Sequence, residues 1–481
     1  MDLPTPTVGI PRVAVVVGVL ALAAFNLTFR LGDESLTEWD GALYTNTALE
    51  MVTSGDWVGT TFDGVLDYSN SKPPLNVWLI ALSIKTFGAT LISVRAASVV
   101  AAWLTVLVLL VWGWRRFSPA TGLFAALVLS TCFGFLHVHS GRTANPDALM
   151  TLFLLLVVVV LDTSAGRPWL RVWLGPLLAG VFMLKGMAVA LPLVLVLAIE
   201  AGRTLSWRAR WRPLAVACLL FAVPVGAWAS ARWQVDEWLF FERIVFQDFI
   251  ALSTTSLDDH RGSLLFYLNQ LQKHHYDWLI AAVAVAVLFR PPSWRTFVSR
   301  LAFWRSADER TRVVGWWAAI GVIVPSLMQT KLAWYLNPMY PMFALGVGAA
   351  LAYGFSRTGF PAHHRALLVA MVVMASVVAQ SKQIWYSYSR RSLDLSAQGV
   401  LLGEADRLRG NRVFKTSTWD RAEMFVVRGL VGAEDAAVMS VDEFLAIAEP
   451  DEHLVMGADV FHPDLVRVST VGEYALYQRR R

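Results

Sequence analysis

The chain has 481 residues, of which 56% are hydrophobic and only 16% are charged, and its mean hydropathy is +0.51. Soluble domains are nearer half apolar and a quarter charged, so this composition excludes a soluble globular protein, and it equally excludes disordered, collagen-like and disulfide-rich classes. The net charge of +5 predicts arginine-rich cytoplasmic loops rather than a nucleic-acid partner.

Apolar segments recur along most of the chain and predict a polytopic membrane protein. In chain order they are 12–29, 74–88, 93–113, 119–138, 147–163, 169–184, 186–201, 213–232, 276–290, 313–330, 333–353 and 365–380. The first contains a motif similar to a signal-peptidase site at 21–23, but it stays apolar to Phe29, which favours an uncleaved span. Cys132 and Cys218 both lie inside apolar runs, so no disulfide or metal motif is expected.

The linkers differ in charge, and this difference predicts the topology. The stretch 30–72 is acidic, whereas the linkers 115–116, 203–212, 290–312 and 357–365 are rich in arginine. All four basic linkers fall in the cytoplasm only if segment 74–88 does not cross the membrane. This segment is short and carries Lys85, so we interpret it as a re-entrant or juxtamembrane helix.

The predicted fold class is therefore an all-α polytopic membrane protein with about 11 to 13 transmembrane helices, eleven being favoured by charge. The first predicted domain covers residues 1–385, with external loops at 30–92 and 233–275. Residues 386–481 alternate helix-like and strand-like patterns and predict a small external α/β domain. The expected location is the cytoplasmic membrane, with the C-terminus outside.

Polar motifs cluster in the segments that this topology places outside. They are an acidic loop with Asp40, the corner Ser71-Lys72-Pro73-Pro74, the turn from Arg142 to Asp147, the pair Lys185-Gly186, and the stretch from Lys331 through Tyr335 to Pro341. Phosphate-loop and dinucleotide-binding motifs are absent from the sequence, as is an Asp-x-Asp pair.

This order and spacing resembles the polyprenyl-phosphate-sugar-dependent glycosyltransferases of the GT-C fold, and in particular the protein O-mannosyltransferases and lipid A aminoarabinose transferases. The resemblance covers roughly residues 10–355. It implies that Asp40 and Asp147 are catalytic carboxylates and that Lys72 binds the lipid phosphate. His260 could match a histidine of the family.

Two departures from the family pattern affect what the resemblance implies. Gly41 follows Asp40 where the family usually has Glu, and Ser71 precedes Lys72 where aminoarabinose transferases tend to have Glu. The metal ligands are therefore unknown and a divalent metal ion stays open, as does transfer of aminoarabinose. His260, Arg261 and Tyr335 are candidates for contacts with substrate or metal.

Elementary chemistry supports the same function. Leaving phosphate needs cations near the membrane face, and Lys72, Arg142, Lys185 and Lys331 are the candidates. A carboxylate base must deprotonate the acceptor hydroxyl. A single displacement at the anomeric carbon then inverts its configuration. We predict a glycosyltransferase that moves one sugar from a polyprenyl-phosphate donor to a lipid, glycan or protein acceptor on the external face, in contact with membrane lipids.

Each residue also has a purely structural explanation. Asp40 could cap a helix, Asp147 could interact favourably with the dipole at the start of a helix, and Tyr335 could belong to an interfacial aromatic belt. The cations could extend from the apolar region to the interface. At the level of the whole chain, a transporter and a non-catalytic scaffold for envelope assembly are the alternatives.

Overall fold

The structure is a computed structural model that describes residues 12–36, 39–203, 206–246, 250, 262–263, 265–289, 308–356, 361–389 and 392–480. Helices dominate the chain up to residue 389. They are α1 (Arg12–Thr28), α2 (Asp40–Ser54), α3 (Leu75–Phe87), α4 (Ala96–Arg116), α5 (Pro119–Ser130), α6 (Phe133–His137), α7 (Asp147–Thr163), α8 (Leu174–Lys185), α9 (Ala190–Ala201), α10 (Trp207–Asp236), α11 (Leu239–Val245), α12 (Phe266–Phe289), α13 (Glu309–Leu327), α14 (Tyr340–Ser356) and α15 (Ala362–Ser389).

Within the described ranges, six helical stretches are long and apolar enough to cross a membrane, so the chain is a multi-pass membrane protein. They are Val13–Asp33, Ser93–Arg116, Pro168–Ala201, Trp211–Asp236, Ala333–Ser356 and Ala362–Ser389. Helix α3 has 13 residues and is about 20 Å long at 1.5 Å per residue, which is less than the hydrocarbon thickness. Its length fits the prediction of a juxtamembrane helix.

Small residues allow the membrane helices to approach closely. A Cβ atom added to Gly113 of α4 would lie 2.9 Å from the Cα of Gly122 in α5, and one added to Gly348 of α14 would lie 2.6 Å from the backbone N of Ala125. Close backbone approach replaces the hydrophobic driving force that lipid removes between transmembrane helices. The bundle around α4, α5 and α14 therefore depends on these glycines.

Three of the predicted cytoplasmic linkers meet at one end of the bundle in a network of charges. Arg116 donates to Asp162 at 2.6 Å, and Arg203 donates to Glu309 at 2.6 Å. We call this network the arginine cluster; its members are Arg116, Asp162, Arg171, Glu200, Arg203, Glu309 and Arg312. It joins the ends of α4, α7, α9 and α13.

The C-terminal region forms a mixed five-stranded sheet with helices α16 (Ala397–Gly403), α17 (Ala405–Leu408), α18 (Arg421–Phe425) and α19 (Val441–Ile447). Its strands are β3 (Arg412–Lys415), β4 (Glu434–Ala437), β5 (His453–Gly457), β6 (Leu465–Val471) and β7 (Tyr474–Arg479), in the order β4-β3-β5-β7-β6. Strand β3 is parallel to β4 and β5, whereas β7 is antiparallel to β5 and β6.

The C-terminal domain packs on the segment between α1 and α4. Phe425 of α18 is fully buried in one core cluster with Tyr44 of α2 and Ile80 of α3. A two-stranded hairpin, β1 (Thr61–Phe62) and β2 (Val65–Leu66), completes this segment. The segment that carries Asp40 and Lys72 and the C-terminal domain therefore lie on the same side of the bundle.

Candidate functional site

Asp40 is the first residue of α2 and is half-buried. Its position fits an acidic residue at a helix N-terminus, but its side chain caps nothing. In the described part of the chain, its carboxylate accepts no hydrogen bond from a side chain and forms no ion pair. The carboxylate is therefore available to a ligand.

Lys72 lies in a rigid corner just before α3. Pro73 and Pro74 follow it and are buried, and α3 begins at Leu75. Proline fixes its own φ near −65° and disfavours helical backbone at the residue before it, so the lysine is held out of the helix. Lys72 itself is half-buried and engaged with other parts of the protein.

The turn at Gly186 lies against this corner. Gly186 has φ +52°, and a Cβ atom added there would be 3.2 Å from Cγ2 of Ile244 and 3.7 Å from Cδ of Pro73. A glycine is therefore required both by the backbone conformation and by the close contact. This contact places the end of α8, with Lys185, beside the corner that carries Lys72.

Lys185 forms a buried ion pair with Asp147. Its Nζ lies 2.7 Å from Oδ1 of Asp147, and the exposed side-chain fractions are 12% and 4%. Asp147 is the first residue of α7, as the sequence predicts, and follows Pro146. Lys185 also lies 6.0 Å from the ring centroid of Tyr335, at the limit of a cation–π contact. The structure thus brings together Asp147, Lys185 and Tyr335.

The turn at 139–146 is bonded to α3 and α4. Asn76 donates from Nδ2 to the backbone O of Ala144 at 3.0 Å, and Ser98 donates to the backbone O of Asn145 at 2.9 Å. These bonds connect the start of α3, four residues after Lys72, to the segment that leads into Asp147. The predicted carboxylate and the predicted phosphate ligand therefore belong to one packed unit.

Arg142 lies in the same turn, but its guanidinium faces another partner. It is 1% exposed, pairs with the buried Glu34 at 2.5 Å, and donates to the backbone O atoms of Asn26 and Phe29. Breaking a buried pair is strongly destabilising, so this contact explains a cation at position 142 by itself. Its predicted phosphate contact remains a prediction.

Lys331 precedes the turn of 3₁₀ helix at Ala333–Met339. It is 6% exposed, and its Nζ donates to the backbone O atoms of Pro325, Ser326 and Met328 at the end of α13. A cation at a helix C-terminus is favourable because it satisfies free carbonyl groups. Its predicted role in phosphate binding, like that of Arg142, is untested.

Four buried asparagines around this unit have an amide oxygen with no hydrogen-bond donor among the described residues: Oδ1 of Asn70, Asn76, Asn145 and Asn337. Asn337 uses its Nδ2 to bond the backbone O of Val138 at 2.9 Å, and Asn145 donates to Thr143. Buried polar atoms normally find partners, so each such oxygen calls for an explanation, such as a bound water or a ligand that donates to it. Sequence reasoning missed all four.

An apolar cluster lies beside the Lys72 corner. Its buried members are Met183, Trp228, Phe240 and Ile244, from α8, α10 and α11, and Leu75 and Trp78 of α3 pack against it. Ile244 also approaches Gly186. This cluster offers an apolar surface against which a hydrocarbon chain could pack, next to Lys72, the predicted phosphate ligand.

His260 and Arg261 lie outside the described residues. Elsewhere in the described ranges, no group of three or more His, Cys, Asp and Glu side chains is arranged to hold a metal ion. The residues that the structure describes thus supply no complete metal site.

Comparison with known proteins relates this arrangement to enzymes that use lipid-linked sugars. The family model for dolichyl-phosphate-mannose-protein mannosyltransferases matches residues 71–228. The undecaprenyl phosphate-alpha-4-amino-4-deoxy-L-arabinose arabinosyl transferase of Pseudomonas aeruginosa PAO1 is 30% identical over 355 residues, covering 69% of this chain and 59% of that protein. Its counterpart in Pseudomonas savastanoi pv. phaseolicola is 29% identical over 343 residues, with 69% and 61% covered. The chain spans about three fifths of the length of these relatives.

Solved structures show the same fold. ArnT from Cupriavidus metallidurans, crystallised with undecaprenyl phosphate, matches with a TM-score of 0.67 at 17% identity, over 96% of this chain and 98% of that one. The oligosaccharyltransferase of Archaeoglobus fulgidus matches with a TM-score of 0.57 at 12% identity, over 94% and 70%. The predicted fold class and the resemblance to GT-C glycosyltransferases are therefore confirmed: the chain has the GT-C fold with a small C-terminal sheet domain.

Proposed function

We propose that the chain transfers a sugar from a polyprenyl-phosphate donor to an acceptor hydroxyl at the external face of the cytoplasmic membrane, with inversion at the anomeric carbon. The observation that carries this proposal is the packed unit around the Asp147–Lys185 pair. Contacts at Gly186 and Asn76 join that pair to the Lys72 corner. The relatives named as arabinosyl transferases support the same activity.

Asp40 is the base in this proposal. Its carboxylate takes the proton of the acceptor hydroxyl as the oxygen attacks the anomeric carbon, and the bond from that carbon to the phosphate oxygen breaks. Asp147 is less suited to this step, since its Oδ1 already accepts from Nζ of Lys185, whose ammonium keeps two further N–H donors for the phosphate. Asp147 instead holds Lys185 in place.

Lys72 and Lys185 stabilise the leaving phosphate. The polyprenyl phosphate gains negative charge as the glycosidic bond breaks, so a fixed cation favours the transition state over the ground state. The corner at Pro73 fixes the first cation, and the ion pair with Asp147 fixes the second. The apolar cluster of Met183, Trp228, Phe240 and Ile244 supports a site for the first isoprene units.

The external orientation is supported by the distribution of charge. The arginine cluster gathers three predicted cytoplasmic linkers at one end of the bundle. The acidic segment 30–72 and the C-terminal domain lie together on one side. Under the positive-inside rule, the site and the C-terminus are external.

A direct test uses the purified full chain in proteoliposomes with radiolabelled polyprenyl-phosphate sugars. The panel includes undecaprenyl-phosphate aminoarabinose and a polyprenyl-phosphate mannose, and envelope lipids, glycans and proteins serve as acceptors. We expect one donor to yield a labelled acceptor of inverted configuration together with free polyprenyl phosphate. Failure of every donor to bind and to react contradicts the proposal.

A further inference from the structure

We propose that Gln398 of the C-terminal domain is a positioning residue for Asp40, so that this domain fixes the geometry of the reaction from outside the membrane bundle. The inference rests on the proposed function in one respect, namely that Asp40 is the base. The contact itself is independent of any reaction.

Gln398 holds the backbone of Leu36, four residues before Asp40, at two points. Its Oε1 accepts from the backbone N of Leu36 at 2.8 Å, and its Nε2 donates to the backbone O of Leu36 at 3.0 Å. Both residues are buried, at 5% and 3% exposed. A side-chain amide that pairs with both backbone groups of one residue fixes the direction of the chain as well as its position.

The other side of Asp40 is also held by the C-terminal domain. Asn46, in the second turn of α2, donates from Nδ2 to the backbone O of Arg421 at 2.7 Å. The Arg421 side chain donates to Asp67 at 2.6 Å, five residues before Lys72. Burial raises the pKa of Asp67, but hydrogen bonds from Ser69 and Arg421 outweigh it and hold that pKa below its usual value.

The backbone at Trp39, directly before Asp40, has a strained conformation that the surrounding structure must enforce. Trp39 has φ +65° and ψ −124°, a conformation that side chains with a Cβ rarely adopt. Its own side chain is 84% exposed, so its packing does not hold the backbone there. Strain of this kind persists only where the surroundings enforce it, and it clusters at functional sites. Gln398 acts three residues before Trp39, and the hydrogen bonds of α2 act after it.

Asp40 is thus the first residue after a strained peptide that is fixed on both sides by one domain. Its carboxylate has no described partner that could hold it in place. The position of this base therefore depends on the backbone, and the backbone depends on Gln398 and Asn46.

The kinetic test compares Gln398→Met with Gln478→Met in the full chain. Methionine keeps the length of glutamine but removes both bonds to Leu36. Gln478 makes a similar bond to the backbone O of Pro450 within the domain and serves as the control. We expect Gln398→Met to lower kcat by about ten- to a hundred-fold, as misplacement of a catalytic group does. KM for the donor should stay within about two-fold, since ground-state binding is retained.

A structural test is independent of turnover. Trp39→Cys with Cys218→Ala leaves only buried Cys132 besides the exposed new thiol, so a spin label attaches at position 39. We expect Gln398→Met to make this label mobile in its resonance spectrum, while Gln478→Met leaves it immobile.

The two tests separate the two ideas. An immobile label with Gln398→Met overturns the positioning role whatever Asp40 does. A mobile label with normal kcat also overturns it, provided that Asp40→Asn is inactive in the same assay. If Asp40→Asn is fully active as well, the assignment of the base has failed. An equal loss of activity and of label order with Gln478→Met indicates general destabilisation and rejects a specific role.

Discussion

The charged groups at the two ends of the bundle differ in whether they have partners. At the end that holds the arginine cluster, Asp162 accepts from both Trp112 and Arg116, and Arg203 lies between Glu200 and Glu309. At the end that carries the candidate site, Asp40 has no partner among the described residues, and four asparagine oxygens have no donor there. Both ends contain buried polar atoms without a hydrogen-bond partner, but the charged side chains of the arginine cluster pair with one another, whereas Asp40 pairs with no described residue.

The paired charges of the arginine cluster stabilise the fold, whereas the unpaired groups of the candidate site are available to bind or act on a substrate. A network of paired charges links helices, and removing one partner leaves a buried charge that destabilises the protein. Unsatisfied groups weaken a fold, so they are retained where function requires them. Variants of matched residues from the two ends test this difference.

The largest expected effect is that of Asp40→Asn. The amide keeps the shape of the carboxylate but takes no proton, so turnover should fall by about 10²- to 10⁴-fold with thermal stability unchanged. Asp162→Asn is the matched change in the arginine cluster: it should lower the unfolding temperature while turnover per folded molecule stays normal. Transfer of label from donor to acceptor and a thermal unfolding scan measure the two effects. The comparison between the two ends fails if the two variants behave alike.

Lys72→Ala comes next. Charge-assisted contacts contribute about 1.5–3 kcal/mol, so use of the donor should weaken by roughly ten- to a hundred-fold. Lys72→Arg should recover part of the loss, since the charge is kept. Lys85→Ala, at the opposite end of α3, is the control. The measurement is the rate of transfer at varied concentrations of a short-chain polyprenyl-phosphate sugar. A change only in acceptor dependence would move the phosphate site to Arg142, Lys185 or Lys331.

The asparagine oxygens should have a smaller effect. If Oδ1 of Asn145 accepts from a sugar hydroxyl or amine, Asn145→Ala removes that hydrogen bond together with the one to Thr143, and kcat/KM should fall by about ten-fold. A donor analogue that lacks the matching hydroxyl should react equally well with both proteins. Deoxy-sugar donors assayed against both proteins identify the group, and a loss that is the same for every analogue contradicts a direct contact.

The strain at Trp39 gives a test that combines stability with activity. Trp39→Gly and Trp39→Ala both remove the exposed ring, but only glycine adopts the observed backbone freely. The glycine variant should be more stable than the alanine variant by about 1 kcal/mol, because the strain is relieved. It should also turn over about two- to ten-fold more slowly, because the base is less constrained. Unfolding temperature and kcat of the pair are compared, and a glycine variant that is more active excludes a positioning role for this strain.

Much of the fold follows from patterns that the sequence carries locally. Pro146 directly precedes Asp147, the first residue of α7, and the strand-like patterns at 412–416, 454–457, 466–470 and 474–478 lie within one or two residues of β3, β5, β6 and β7. Strand β4 was not predicted, because its sequence Glu-Asp-Ala-Ala has low strand propensity and it depends on pairing with β3. Helix α18 was also missed.

The candidate site was predictable where residues carry a motif, and not where a distant residue decides their role. Arg142 appeared as a phosphate ligand, yet its partner Glu34 lies 108 residues earlier and nothing local joins the two. Gln398 is 362 residues from Leu36, and its amide resembles any surface glutamine in the sequence. Such contacts arise from tertiary packing, so only a structure reveals them.

The smallest expected effect concerns the C-terminal domain, where His453 of β5 is 2% exposed. Burial lowers the pKa of this imidazole below its usual value of 6.5, and the charge of Arg407 lowers it further. The unfolded chain therefore takes up the proton first as pH falls. Stability should be constant above about pH 6.5, decline as pH drops from there toward the folded-state pKa, and level off below it.

Hydrogen exchange of the β5 amides in the full chain, corrected for intrinsic rates, measures this decline as the free energy of opening at pH 7.5 and at 5.0. His453→Gln should abolish it, because glutamine does not titrate, whereas His462→Gln, in a loop of the same domain, should leave it unchanged. The expected loss is about 1 kcal/mol for each unit by which the pKa is lowered. Since Gln398 reaches Leu36 from this domain, the same acidification should mobilise a label at position 39. A label that becomes mobile at pH 5.0 in His453→Gln as well would show that another group weakens the contact.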